Sequence, residues 1–118
     1  MDHHSPKISV LTNNYNYAPF VSAAISGALT QSYPEREIIV VDDGSTDDSR
    51  AVLEGFGDRI KVVLQENGGQ AAAMNAAVRE SRGEILCFLD ADDWWAPGKL
   101  AEVAAAFDAD PDLVLVYH

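Results

Sequence analysis

Four β-branched residues in a row, Ile38-Ile39-Val40-Val41, run directly into Asp42-Asp43-Gly44-Ser45. A run with no polar alternate has no side to show water. It predicts a strand buried on both faces, as in a parallel sheet sandwiched between helices. Its sudden acidic end predicts a turn, with carboxylates at the strand's carboxyl tip.

The rest of the chain repeats this arrangement. Short apolar runs at 8–12, 60–64, 85–89 and 113–117 predict four more strands, and helical spacing fills the gaps between them. Pro19 suits a helix first turn, followed by Val21, Ile25, Ala28 and Leu29, until Tyr33-Pro34 stops the helix. Ser45 or Thr46 is expected to cap a second helix, with Asp47 and Asp48 in its first turn and Ala51, Val52 and Phe56 on its apolar side. An alanine-rich helix carrying Met74, Ala77 and Val78 follows Asn67-Gly68-Gly69, with Gly83 as its expected C-terminal cap. Pro97 is expected to open a helix through Leu100, Val103 and Phe107. Alternation of this kind predicts an α/β domain with an open, mainly parallel sheet, right-handed crossovers and flanking helices. Ligands of such sheets bind beyond the carboxyl ends of the strands, where the acidic clusters fall.

A chain of 118 residues fits one domain, and 47% apolar with 23% charged residues is ordinary for a globular one. Residues 1–6 are expected to be a disordered lead-in and 7–118 the folded domain. Nineteen acidic against eight basic residues give a net charge of −11. That repels nucleic acid and anionic lipid and suits a protein holding a divalent cation, although excess acid also serves solubility alone. The single cysteine, Cys87, has no intramolecular partner and lies in an apolar run, as a core residue would. The polar start Met1-Asp2-His3-His4 lacks a signal-peptide pattern, and no apolar run approaches the roughly 20 residues that span a bilayer. A cytoplasmic protein is the expectation.

Asp90-Ala91-Asp92-Asp93 places three carboxylates in four residues at a strand end. Their mutual repulsion is relieved by a divalent cation, and Mg²⁺ or Mn²⁺ takes one or two carboxylates plus substrate phosphates. In Asp42-Asp43-Gly44-Ser45, an aspartate beside a tight glycine turn can accept hydrogen bonds from a base or ribose, or simply cap the next helix. Backbone N–H groups at Gly68 and Gly69 can approach a phosphate, or form a plain turn into the helix. Other chemistries find no support. The chain has no Gly-x-Gly-x-x-Gly or Gly-x-x-x-x-Gly-Lys loop, no Gly-x-Ser-x-Gly elbow, histidines only at its ends, and too few cysteines for a zinc site. A phospho-receiver domain also puts an acidic pair and a later aspartate at strand ends. It needs its pair after the first strand, however, and a lysine on a later strand, whereas Lys99 sits in the next helix.

Taken in order, the segments resemble family 2 glycosyltransferases over nearly the whole chain. The resemblance rests on Ile8-Ser9-Val10-Leu11 with Tyr15-Asn16, Gln31-Ser32-Tyr33-Pro34, the run Glu37 to Asp47, Glu66-Asn67-Gly68-Gly69 with Asn75, Arg82-Gly83-Glu84, and Leu89 to Asp93 followed by Trp95, Pro97 and Leu100. It implies the Rossmann-like, nucleotide-sugar-binding half of a GT-A-type fold, with a nucleoside-diphosphate sugar, a UDP-sugar first, as ligand. Carried over by position, Asp43 recognises the base, with Asn13 and Tyr15 beside it and Gly68 in the adjoining loop. Asp90 approaches the ribose or sugar, and Asp92, with Asp90, ligates Mg²⁺ or Mn²⁺ against the diphosphate. The metal would stabilise the leaving nucleoside diphosphate, and transfer would invert the anomeric centre with a carboxylate as base. Asn13-Asn14 stand where the family usually has Pro-Thr, and Met74 where many members have arginine. The base and acceptor elements belong to the family's second half, so the chain is expected to stop short of them and to bind donor without turnover. Its apolar run 113–117 is expected to be covered by self-association into a homo-oligomer. A non-catalytic binding or interaction module is the alternative.

Overall fold

The computed structural model describes residues 6–109. Four strands, β1 (Ile8–Asn14), β2 (Arg36–Asp43), β3 (Lys61–Gln65) and β4 (Ile85–Phe88), form one sheet in the order β3-β2-β1-β4, with every neighbouring pair parallel. Helices α1 (Ala18–Leu29), α2 (Ser49–Glu54) and α3 (Gln70–Glu80) connect them in turn, and α4 (Lys99–Ala109) follows the acidic loop after β4. The open parallel sheet expected from the alternation is what forms. The run 113–117, and with it the surface proposed for self-association, lies outside the described residues, as do residues 1–5.

Strand alternation sorts the core into two layers. Ile8, Val10, Ile38, Val40, Ile85, Cys87 and Leu89 face α1, α2 and α4, where they meet Val21, Ile25, Leu53, Leu100 and Val103. Leu11, Ile39 and Val41 face the other way, onto Ala73, Ala76 and Ala77 of α3. The β2 run is therefore buried on both sides, with Ile39, Val40 and Val41 fully inaccessible. At roughly 1.5–3 kcal/mol for each fully buried aliphatic side chain, this run alone outweighs the weak turn preferences around it. Alanine on the sheet-facing side of α3 leaves no bulky side chain to hold that helix off the sheet.

Several boundaries differ from the sequence expectation. β2 does not stop at Val41 but runs through Asp43, whose register partner is Gln65. Neither Ser45 nor Thr46 caps α2: that helix begins at Ser49, and the residues before it bind the neighbouring loop instead. Gly83 does not cap α3 either. The helix ends at Glu80, Ser81 is already extended, and Gly83 lies against β1, where a Cβ would sit 2.5 Å from Ser9 Oγ and 2.9 Å from the Lys7 carbonyl oxygen. Pro97 stands two residues before α4 rather than opening it. Cys87 is buried as expected, and desolvation pushes its thiol up to about 11, although Lys99 pulls slightly the other way.

Candidate functional site at the carboxyl edge of the sheet

In a sheet ordered β3-β2-β1-β4, the strand order reverses at β1, between β2 on one side and β4 on the other, and the carboxyl ends of strands at such a point are where open parallel sheets bind ligands. The same alternation that sorts the core also sorts the polar residues at this edge. Asn14 and Asp42 continue the faces of Val10 and Val40. Asn13 and Asp43 continue those of Leu11 and Val41, on the α3 side. Leu89 extends the β4 pairing through its N–H to the Leu11 carbonyl at 2.9 Å, so Asp90 emerges directly beside the end of β1. Asp43 and Asp90 thus lie either side of β1, two inter-strand steps or about 10 Å apart at the backbone.

The two adjacent aspartates have separate work. Asp42 is fully buried and closes its own turn: Asn14 Nδ2 (3.0 Å) and Ser45 Oγ (2.6 Å) donate to its Oδ1, and Ser45 N (3.1 Å) and Arg50 Nε (3.2 Å) to its Oδ2. Asp43, 2% exposed, is clasped from the β3–α3 loop. Gln65 Nε2 (2.8 Å) and Gly68 N (2.9 Å) donate to its Oδ1, while Gly69 N (3.0 Å) and Asn67 Nδ2 (3.2 Å) donate to its Oδ2. Burial pushes the Asp43 carboxyl up, but the bonds from Gln65, Gly68 and Gly69 together outweigh it and hold the group below its ordinary value. The loop N–H groups expected to face a phosphate are therefore spent on Asp43. Gly44 makes this closure possible: its φ of 77° opens the turn, and a Cβ there would meet Asn67 N at 2.6 Å.

A second lattice of bonds fixes the β1–α1 loop that carries Tyr15. Asn16, in the left-handed region at φ 58°, accepts from Thr46 N (2.7 Å) and Asp47 N (3.2 Å) through its Oδ1, and its own N–H donates to Ser45 Oγ at 3.0 Å. Asp47 accepts from Ala18 N at 3.0 Å and from Ser49 N at 2.9 Å, so the residue expected inside the first turn of α2 stands before that helix and satisfies a donor at the start of both α1 and α2. Tyr15 is left 43% exposed at the edge.

Across β1, Asp90 and Asp92 are exposed. Their side chains take no hydrogen bond and no ion pair among the described residues, and no cluster of three His, Cys, Asp or Glu able to hold a metal exists there. Two exposed carboxylates without partners fall short of a closed protein site, and they suit Mg²⁺ or Mn²⁺ only where further ligands come from outside this pair. Asp93 is occupied, accepting from Trp94 N at 2.7 Å. The loop is anchored from below by Gln31, 4% exposed, whose Nε2 donates to Ala96 O (2.8 Å) and whose Oε1 accepts from Leu100 N (2.9 Å). Trp95 is buried against α1 and α4, whereas Trp94 remains 64% exposed at the rim.

Asn13, Tyr15, Asp43, Gly68, Asp90 and Asp92 are therefore gathered at one edge, with Gly68 engaged through its backbone. Sequence reasoning missed Gln65 and the anchoring roles of Asn16 and Gln31. The register of β3 against β2 is the signal for Gln65, because it sets the end of β3 opposite Asp43.

Comparison with known proteins bears on the family and the fold. The profile of glycosyl transferase family 2 matches residues 9–118. An uncharacterized glycosyltransferase of Nostoc sp. is 47% identical over 116 residues, covering 95% of this chain and 36% of that protein. The mannosyltransferase PcManGT of Pyrobaculum calidifontis, solved with GDP-Man and Mn²⁺, superposes with a TM-score of 0.81 at 31% identity, over 93% of this chain and 34% of that one. S. aureus TarS 1-349 in complex with UDP-GlcNAc gives 0.79 at 29% identity, over 87% and 31%. The chain spans about a third of the length of these relatives. With nearly all of its length in the family profile and an all-parallel sheet matching GT-A glycosyltransferase structures, this chain belongs to glycosyl transferase family 2.

Proposed function

We propose that the carboxyl edge binds a nucleoside-diphosphate sugar together with Mg²⁺ or Mn²⁺, as the donor site of an inverting glycosyltransferase, and that the nucleotide is uridine-based. The carrying observation is the division of labour along the edge. Asp43 is an ionised, buried acceptor on one side of β1, and Asp90 and Asp92 are exposed, uncompensated carboxylates on the other. The first suits a base that presents a ring N–H, with Asn13 and Tyr15 flanking it. The second suits a cation that bridges to a diphosphate. TarS solved with UDP-GlcNAc and PcManGT with GDP-Man and Mn²⁺ support both parts of the reading.

The bound metal would act as a Lewis acid that stabilises charge on the leaving diphosphate. The protein's own contribution is to orient. Asp43 fixes the base, Gln31 sets the height of the acidic loop, and the Asn16–Asp47 lattice holds the loop of Tyr15. Inverting displacement also needs a base for the acceptor hydroxyl. Neither Asp42 nor Asp43 can serve, since both are buried with their lone pairs taken. The buried pair therefore belongs to donor binding and to the turn, not to proton transfer. Cys87, a buried unpaired thiol, is compatible with the reducing cytoplasm we assign to the protein.

Calorimetric titration with UDP, GDP and dTDP, with and without Mn²⁺, tests the reading. UDP should bind best and only with metal. Binding of no nucleotide under either condition would leave the fold standing and remove the function.

A further inference from the structure

Counting lone pairs at Asp43 exposes a conflict with base recognition. A carboxylate offers about four acceptor positions, and Gln65, Asn67, Gly68 and Gly69 fill them. A base N–H reaches this group only by displacing one of those donors. Two are backbone groups fixed by the turn into α3. Asn67 is held twice, since its Nδ2 also donates to the Asp43 carbonyl oxygen at 3.0 Å. Gln65 is held once, by a half-buried, flexible side chain at the end of the edge strand β3.

Resting on the donor-site reading above, the geometry points to Gln65 as an internal occupant of the base pocket: its carboxamide holds the position on Asp43 Oδ1 that a nucleobase ring N–H must take. Nucleobase binding is then an exchange. The incoming N–H replaces the Gln65 N–H, and the amide turns out toward solvent or toward a carbonyl of the base. The exchange weakens binding of each base that completes it and filters by chemistry. Uracil and guanine carry a ring N–H beside a carbonyl and can complete it. Cytosine, held in the same pose by its ribose, presents a bare ring nitrogen to an ionised carboxylate and cannot.

Gln65→Met keeps the length of the side chain and removes its donor, and Gln65→Ala removes the occupant altogether. Titrations with UDP, GDP and CDP in Mn²⁺ should show UDP and GDP binding about tenfold tighter in both variants, the worth of one hydrogen bond to a charged group. CDP should be unchanged. A purely structural role predicts the opposite sign, a loss for all three nucleotides with a lower Tm, and that result overturns the inference. So does an unchanged UDP affinity in both variants, which leaves the donor-site reading intact. If the unsubstituted chain binds none of the three, the donor-site reading fails and this inference with it.

Discussion

At the residue scale, Asp42 and Asp43 are chemically identical neighbours whose consequences should separate. Asp42→Ala leaves Asn14, Ser45 and Arg50 without their shared acceptor at a fully buried position. A cost of about 3 kcal/mol is expected, at the low end for a broken buried pair because Arg50 is half exposed. Urea unfolding measures it, and an unchanged midpoint would contradict it. Asp43→Asn keeps the shape but turns an amide N–H₂ against one of the loop donors. It should cost about 1–3 kcal/mol of stability and at least that much in UDP binding. The native Asp43 group titrates below its unfolded value, as does Glu37, where burial is outweighed by Ser9, the Arg82 N–H and nearby lysines. Their contribution is therefore fully present above the unfolded pKa and is lost as pH falls through the depressed native values. Urea midpoints should drop from pH 5 to pH 3, and by less in Asp43→Asn. That carboxylates at this strand end matter was legible in the sequence. Which of the pair is solely a fastener was not, because the answer depends on which face each continues.

At the element scale, the sequence revealed elements through period and ends through residue habits, and the habits misled where tertiary contacts overrode them. The buried run of β2 was legible because four consecutive apolar residues leave one solution. Gly83 looked like a helix cap because glycine favours that role, but its need is close approach to β1. The two explanations predict different outcomes for Gly83→Ala. Gly83 is not among the positive-φ glycines, so a cap role there would tolerate alanine with little loss. Backbone atoms of Ser9 and Lys7 within 3 Å of the new Cβ cannot yield without moving β1 from β4, at about 1–3 kcal/mol. Thermal denaturation decides between them. Ser45, Thr46 and Asp47 misled for a related reason: they resemble the start of a helix, yet, beside the local bonds of Ser45 to Asp42 and Asp47 to Ser49, they bind distant partners about 30 residues away on the β1–α1 loop. No local window contains those partners, and the register of Gln65 against Asp43 is hidden in the same way.

At the scale of the whole molecule, the net charge of −11 conflicts with an anionic diphosphate ligand. Asp90 and Asp92 stand exposed where the diphosphate is proposed to lie, with no cationic partner among the described residues. Without a divalent ion, that repulsion opposes the diphosphate but not the uncharged nucleoside. At low salt, chelation should therefore abolish UDP binding while uridine binds equally with or without Mn²⁺, since Asp43 lies about 10 Å away on the far side of β1. Because the repulsion acts between exposed charges, raising salt from 0.02 to 0.5 M, as trial concentrations of roughly those values, should recover part of the metal-free UDP affinity by screening. Asp92→Asn should behave as partial chelation, weakening UDP in Mn²⁺ about tenfold or more while sparing uridine. These measurements separate the base and metal halves of the edge. Equal loss of uridine and UDP on chelation would show that the metal organises the whole edge rather than neutralising one end. UDP binding indifferent to both chelation and Asp92→Asn would remove the metal from the proposed site.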